Sequence, residues 1–89
     1  MQYSELFVHR IRTLCNNRNH HISINKLAMM SGLRQSTINN IMQGNSKNPK
    51  VQTLHKIALA FNMTLADFLN FDELNDYFFD DNSDDESDN

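Results

Sequence analysis

The sequence predicts an all-α fold, a compact five-helix domain with a short helical extension towards the C-terminus. Apolar residues recur at spacings of three and four through each long segment, which is typical of amphipathic helices. Only two Gly and one Pro interrupt the 89 residues. β-branched residues rarely alternate with polar ones, so we expect no strands. A chain of this length encloses one modest hydrophobic core, which makes a single domain the expected organisation.

The first two helices are defined by apolar spacing and by their end signals. Helix one is predicted over about residues 4–16, where the apolar side chains recur at helical spacing (Leu6, Phe7, Ile11 and Leu14). Residues 16–21 form a polar connection. Helix two is predicted over residues 24–31, because the Ser23 hydroxyl can cap its N-terminus and Gly32 can adopt the positive φ that ends a helix.

Helix three is predicted over residues 35–43. Ile38 and Ile41 are three residues apart, so they share one face and turn towards the core. The opposite face carries uncharged amides and a hydroxyl: Gln35, Ser36, Asn39, Asn40 and Gln43. An amide side chain offers a donor and an acceptor together, which is the chemistry that reads a base edge in the major groove. This pattern predicts that helices two and three form a helix-turn-helix that binds specific DNA sequences.

The remaining helices follow a loop around Pro49. Helix four is predicted over residues 51–61, and Thr64 caps helix five. A helical extension could occupy residues 72–80. Residues 81–89 contain no apolar residue, so we expect a disordered acidic tail. The predicted core consists of Leu27, Ala28, Leu33, Ile38, Ile41, Leu54, Ile57, Ala58, Phe61, Leu65 and Phe68.

Basic and acidic residues are separated along the chain. Residues 1–71 hold all eight Lys and Arg and only two of the eleven acids, Glu5 and Asp67, a net charge of +6. Residues 72–89 hold the other nine acids and no Lys or Arg, which brings the whole chain to −3. A basic body suits a polyanion such as double-stranded DNA.

Other classes of site have weak support in the sequence. The lone Cys15 cannot form an internal disulfide, which suggests a reducing, cytoplasmic location. No apolar run reaches membrane-spanning length. His20 and His21 lack further ligands for a metal, and no hydroxyl stands in a nucleophile–His–acid arrangement. We therefore expect no enzyme activity, no cofactor, no metal and no membrane.

Two segments carry a family resemblance. They are LAMMSGLRQSTINNIMQG at residues 27–44 and PKVQTLHKIALAFNMTLADFL at residues 49–69. With them, residues 4–70 resemble the Cro/repressor-type (XRE-type) helix-turn-helix family. The resemblance implies a lambda-repressor-like domain over residues 1–71 and DNA binding. Because one recognition helix covers too few base pairs for a specific site, we expect a homodimer at least on DNA.

The resemblance also implies roles for individual residues. The expected base-contacting residues are Gln35, Ser36, Asn39, Asn40 and Arg34, of which Arg34 could instead reach a phosphate. The expected backbone-contacting residues are Ser23, Lys47, Asn48 and Lys50. Cys15 and Met42 stand where the family often pairs an Arg with a Glu. Because both charges are absent together, we expect a buried contact between the two.

Three classes of function remain open. The first is a small transcriptional regulator, expected to be a repressor. The second is an antitoxin that binds both its operator and a toxin. The third is a protein-interaction module on the same fold. The tail is open as well, since it could be a solubilising end, a mimic of DNA, or a docking segment for a protein partner through residues 77–79.

Overall fold

The computed structural model describes residues 2–17 and 20–79. Within them the chain forms six helices: α1 (Tyr3–Cys15), α2 (Ile24–Ser31), α3 (Gln35–Met42), α4 (Val51–Ala60), α5 (Leu65–Leu69) and α6 (Asp72–Asn75). The helices enclose one core, so the predicted all-α fold class is confirmed. The predicted acidic tail, residues 81–89, lies outside the described residues.

Helix ends agree with the capping signals in the sequence. The Ser23 hydroxyl accepts a hydrogen bond from the Lys26 N–H at 3.1 Å, and the Thr64 hydroxyl accepts one from the Asp67 N–H at 3.0 Å. Gly32 has a φ of 75°, the left-handed conformation that stops α2. At the start of α1, the Gln2 N–H donates to the Glu5 carboxylate at 2.6 Å, which satisfies a backbone donor that the helix leaves free.

The expectation of no strands is wrong at one point. Asn16–Asn17 (β1) and His20–His21 (β2) form a two-residue antiparallel ladder that pairs Asn16 with His21. The Asn16 side-chain oxygen also lies 2.6 Å from His21 Nδ1. The ladder satisfies backbone groups where α1 ends and the chain reverses towards α2. This hairpin therefore sets the direction in which α2 begins.

Eight of the eleven predicted core residues are buried, including Ile38, Ile57 and Phe68 at 0% exposure. Leu33, Phe61 and Leu65 are only half-buried and pack against the core from outside. The core also takes in side chains of α1, chiefly Phe7 and Ile11. The helices α2 and α3 therefore pack against α4 and α1, which leaves their other faces to the outside.

The expected contact between Cys15 and Met42 is only partly supported. Cys15 is buried at 5% exposure, but Met42 is half-buried, so the expectation that both are buried is wrong. The two side chains line one open cavity of about 230 Å³ between α1, the hairpin and α3. The Cys15 and Met42 side chains therefore do not fill this cavity.

The C-terminal extension is helical for one turn only. After α6 ends at Asn75, residues 77–79 are not helical. The rings of Tyr77 and Phe79 lie 5.3 and 5.2 Å from the ring of Tyr3, measured between centroids. Packing on the start of α1 takes these aromatic residues out of a helical path.

Candidate nucleic-acid interface

A tight turn joins α2 to α3. The Gly32 N–H donates to the Ala28 carbonyl at 3.0 Å. The Ser31 hydroxyl donates to the same carbonyl and accepts from the Leu33 N–H, both at 3.3 Å. These bonds satisfy backbone groups that the end of α2 leaves without helical partners, so the turn is stabilised by its own residues.

The outer face of α3 is polar and exposed. Ile38 and Ile41 bury the inner face, and the exposed set comprises Arg34, Gln35, Ser36, Asn40 and Gln43. Arg34 stands at the N-cap position with an extended backbone, and its exposed guanidinium makes no hydrogen bond or salt bridge with any residue that the structure describes. Asn39 lies at the flank of this face and is half-buried.

A groove of about 480 Å³ runs between α3 and the loop that precedes α4. Asn40, Asn48 and Lys50 all line it, so the structure brings together three residues singled out in the sequence. The Asn40 carbonyl accepts from the Asn45 and Ser46 N–H groups at 2.9 and 3.3 Å, which ties the loop to the end of α3.

The charged residues of α2, of the α3 N-cap and of the loop before α4 are all basic. No acid occurs in the sequence between Glu5 and Asp67, and all eight Lys and Arg lie between them. Arg34, Lys47 and Lys50 are exposed. Within residues 2–17 and 20–79 no Lys or Arg forms a salt bridge with a carboxylate, since the one recorded pair joins His9 to Glu73. The cations beside α3 are therefore available to phosphates.

Comparison with known proteins identifies this arrangement. A family model described as the Cro/C1-type HTH DNA-binding domain matches residues 9–73, more than half of the chain. The chain belongs to the Cro/C1-type helix-turn-helix family. The crystal structure of the prophage Lp1 protein 11 is similar, with 30% sequence identity and a TM-score of 0.71 over 84% of this chain and 97% of that one. No curated protein matches the chain.

In this Cro/C1-type domain, α2 and α3 form the helix-turn-helix. The family identifies the protein as a small regulator that binds DNA. The predicted family and fold are confirmed. Ser23 is exposed at the N-terminus of α2, where its oxygen caps the helix and its hydroxyl proton remains free to donate. Lys47 projects from the loop after α3, beyond Gly44, whose φ of 79° turns the chain.

Sequence reasoning missed some residues of the groove. Thr37, Ser46 and Thr53 line it together with Asn40 and Lys50. The spacing of Thr37, three residues before Asn40 on α3, was the available signal for the first of them. Ser46 and Thr53 come from the loop and from α4, and only the folded chain brings them there.

One basic residue of the Cro/C1-type domain has a different task. Arg10 Nε donates to the Phe68 carbonyl and Arg10 Nη2 to the Asp67 carbonyl, both at 2.9 Å. The guanidinium also lies 5.1 Å from the ring centroid of Phe71. Arg10 therefore holds the end of α5 against α1 and is not part of the DNA-facing charge.

Two other properties of the described residues concern different kinds of site. Burial raises the pKa of the Cys15 thiol, so the thiol stays protonated at neutral pH. Among the described residues no cluster of His, Cys, Asp or Glu suits a metal ion, and no helix is long and apolar enough to cross a membrane.

Proposed function

We propose that this protein is a sequence-specific transcriptional repressor that binds an inverted repeat as a homodimer. One observation carries the proposal: an exposed face of amides and a hydroxyl on α3 stands beside exposed cations, in a stretch of sequence without acids. Amides read bases and cations bind phosphates, so this surface offers both parts of specific DNA recognition.

The base-reading residues are those at the start and outer face of α3. Gln35 and Ser36 occupy the first turn, which is the part of a recognition helix that enters the major groove. Asn40 follows one turn later on the exposed side. Asn39 reads from the flank, and Arg34 reaches either a guanine or a phosphate. A bidentate amide–adenine pair contributes about 1–3 kcal/mol of discrimination.

Residues that contact the DNA backbone lie on both sides of the base-reading residues of α3. Ser23 at the N-terminus of α2 donates its hydroxyl proton to a phosphate, and Lys47, Asn48 and Lys50 approach the backbone from the loop on the other side of α3. Contacts on both sides hold the helix in register on the duplex without reading its sequence.

A dimer follows from the small footprint of one recognition helix. Two such helices about 34 Å apart reach successive major grooves on one side of the duplex. On α4, Val51 and Leu59 are 64% and 62% exposed and stand two helical turns apart, on one face. Together with the end of α5, this face forms the contact between copies. A bound dimer blocks other proteins from the same DNA, so repression requires only occupancy.

Selection of bound sequences from random DNA, with the full chain, tests the proposal. The expected result is an inverted repeat whose half-sites are about one helical turn apart. Gln35→Ala should lower discrimination on that site by about 1–3 kcal/mol with little change on random DNA. Gln43→Ala, which removes an exposed amide from the far end of the same helix, is the matched control. Equal effects of the two substitutions, or an enriched site without symmetry, would contradict the proposal.

A further inference from the structure

Two adjacent aromatic side chains near the C-terminus are exposed. Phe78 is 83% exposed and Phe79 is 58% exposed. Single exposed apolar side chains are common, but two adjacent phenyl rings that are both largely exposed are typical of a binding surface. The ten residues that follow Phe79 in the sequence contain no apolar side chain, so they offer nothing that could bury these rings.

The segment that carries the rings is held in place. The rings of Tyr77 and Phe79 lie 4.8 Å apart, and both pack on Tyr3. The Tyr77 N–H also donates to the Leu74 carbonyl at 3.2 Å. Phe78 stands between these two anchors and is directed into solvent. A surface that is already ordered loses less conformational entropy on binding.

Three exposed acids lie on α6 and at its C-terminal end, before the exposed rings in the sequence. Asp72, Glu73 and Asp76 are exposed and precede the rings by a few residues. The Glu73 carboxylate lies 3.8 Å from His9 Nε2, while Asp72 and Asp76 form no salt bridge with any residue that the structure describes. We call the exposed rings Phe78 and Phe79 with the acids Asp72, Glu73 and Asp76 the acidic–aromatic surface.

The charge of this surface selects its occupant. In a symmetric contact with a second copy, the same carboxylates would face each other, and like charges across an interface are unfavourable. We propose that the acidic–aromatic surface binds another protein that presents an amphipathic helix, with an apolar stripe flanked by Lys and Arg. The stripe covers the phenyl rings, and the flanking cations pair with the carboxylates.

This surface is separate from the DNA-facing one. It uses no residue of α3 or of the loop before α4, so the proposal goes beyond DNA binding and does not depend on it. It gives the regulator a protein partner in addition to DNA.

Titration of the full chain with three designed helical peptides tests the proposal, with amide chemical shifts as the readout. The first peptide has a leucine stripe flanked by lysines. The second replaces the lysines with glutamates, and the third replaces the leucines with serines. We expect the first to bind at least about tenfold more tightly than either control and to shift residues 72–79, because both burial and charge contribute.

Phe78→Ser is the decisive variant, because its side chain is the most exposed and its loss should leave the fold intact. It should weaken the leucine–lysine peptide about tenfold, as expected for removal of a buried phenyl ring. Met29→Ser, which removes an exposed apolar side chain from α2, should leave peptide binding unchanged. Unfolding curves of both variants should match the parent chain.

Three results would overturn the proposal. The first is equal binding of the serine–lysine peptide, which would mean that charge alone acts. The second is unchanged binding by Phe78→Ser. The third is self-association in sedimentation that is abolished by Phe78→Ser, which would make a second copy the occupant.

Discussion

Arg10 of α1 donates from Nε to the Phe68 carbonyl at 2.9 Å, a bond between residues 58 positions apart. α5 ends at Leu69, and the final carbonyls of a helix have no partner within the helix. The Asp67 carbonyl also accepts from the Asn70 N–H at 3.2 Å. A guanidinium is well suited to this position, because it places two donors on adjacent carbonyls and stacks its flat face on an aromatic ring.

Arg10→Ala should therefore lower the free energy of unfolding by about 2 kcal/mol, since hydrogen bonds to a charged group contribute about 1.5–3 kcal/mol. Urea denaturation measures the change. Arg12→Ala is the matched control: Arg12 is an exposed cation two residues further along α1 and should change stability by less than about 0.5 kcal/mol. A stable Arg10→Ala variant with impaired DNA binding would instead place Arg10 on the DNA.

Lys47→Ala should weaken binding to specific and random DNA about equally. If Lys47 contacts one phosphate, the slope of log K against log salt should become shallower by about 0.9. Lys56→Ala, which removes an exposed cation from α4, should leave the slope unchanged. Anisotropy titrations at several salt concentrations measure both slopes. Equal slopes for Lys47→Ala and the parent chain would remove Lys47 from the DNA contacts.

Cys15 should react slowly in the folded protein. Burial raises the pKa of its thiol, and the protonated thiol is a poor nucleophile. Because Cys15 is the only cysteine, mass spectrometry can follow its alkylation without ambiguity, and the rate should rise at least about tenfold in denaturant. The raised pKa also makes the free energy of unfolding fall as pH rises above the ordinary pKa of a cysteine thiol, because the unfolded chain loses this proton first. Rapid alkylation at neutral pH in native buffer would show that the thiol is accessible.

The acids after Asp80 should weaken binding to DNA. A chain ending at Asp80 loses five of them, and its net charge becomes correspondingly more positive. Non-specific affinity should rise, more at low salt than at high salt, because such fields are screened over about 10 Å at 0.1 M salt. This cut leaves the Tyr77 and Phe79 contacts with Tyr3 intact. Identical affinities across a salt titration would leave these acids as a solubilising end.

Local signals predicted the parts of the fold that local chemistry decides. The bounds of α2 agree with the structure at both ends, because the Ser23 cap and the Gly32 reversal are properties of neighbouring residues. The polar face of α3 was equally readable, since Ile38 and Ile41 define its inner side. The Cro/C1 family follows from these residues together with the segment 49–69.

Contacts between residues far apart in the sequence could not be predicted from helical spacing or end signals. The role of Arg10 depends on carbonyls of α5, and in the sequence Arg10 was only one of the eight cations of the basic body. The β1–β2 ladder joins Asn and His residues, which do not favour strands. No alternation of apolar and polar residues in the sequence therefore predicted it. The contact of Tyr77 with Tyr3 joins opposite ends of the described chain, and helical periodicity carries no information about it.

The Tyr3–Tyr77 contact gives this protein an intrinsic spectroscopic probe of its C-terminal segment. The sequence contains no Trp and only two Tyr, and their ring centroids lie 5.3 Å apart. Tyrosine emission and near-ultraviolet dichroism consequently arise mainly from the place where the C-terminal segment meets α1, whereas far-ultraviolet dichroism reports all the helices. Where the two denaturation curves separate, the segment has detached from a domain that is still folded.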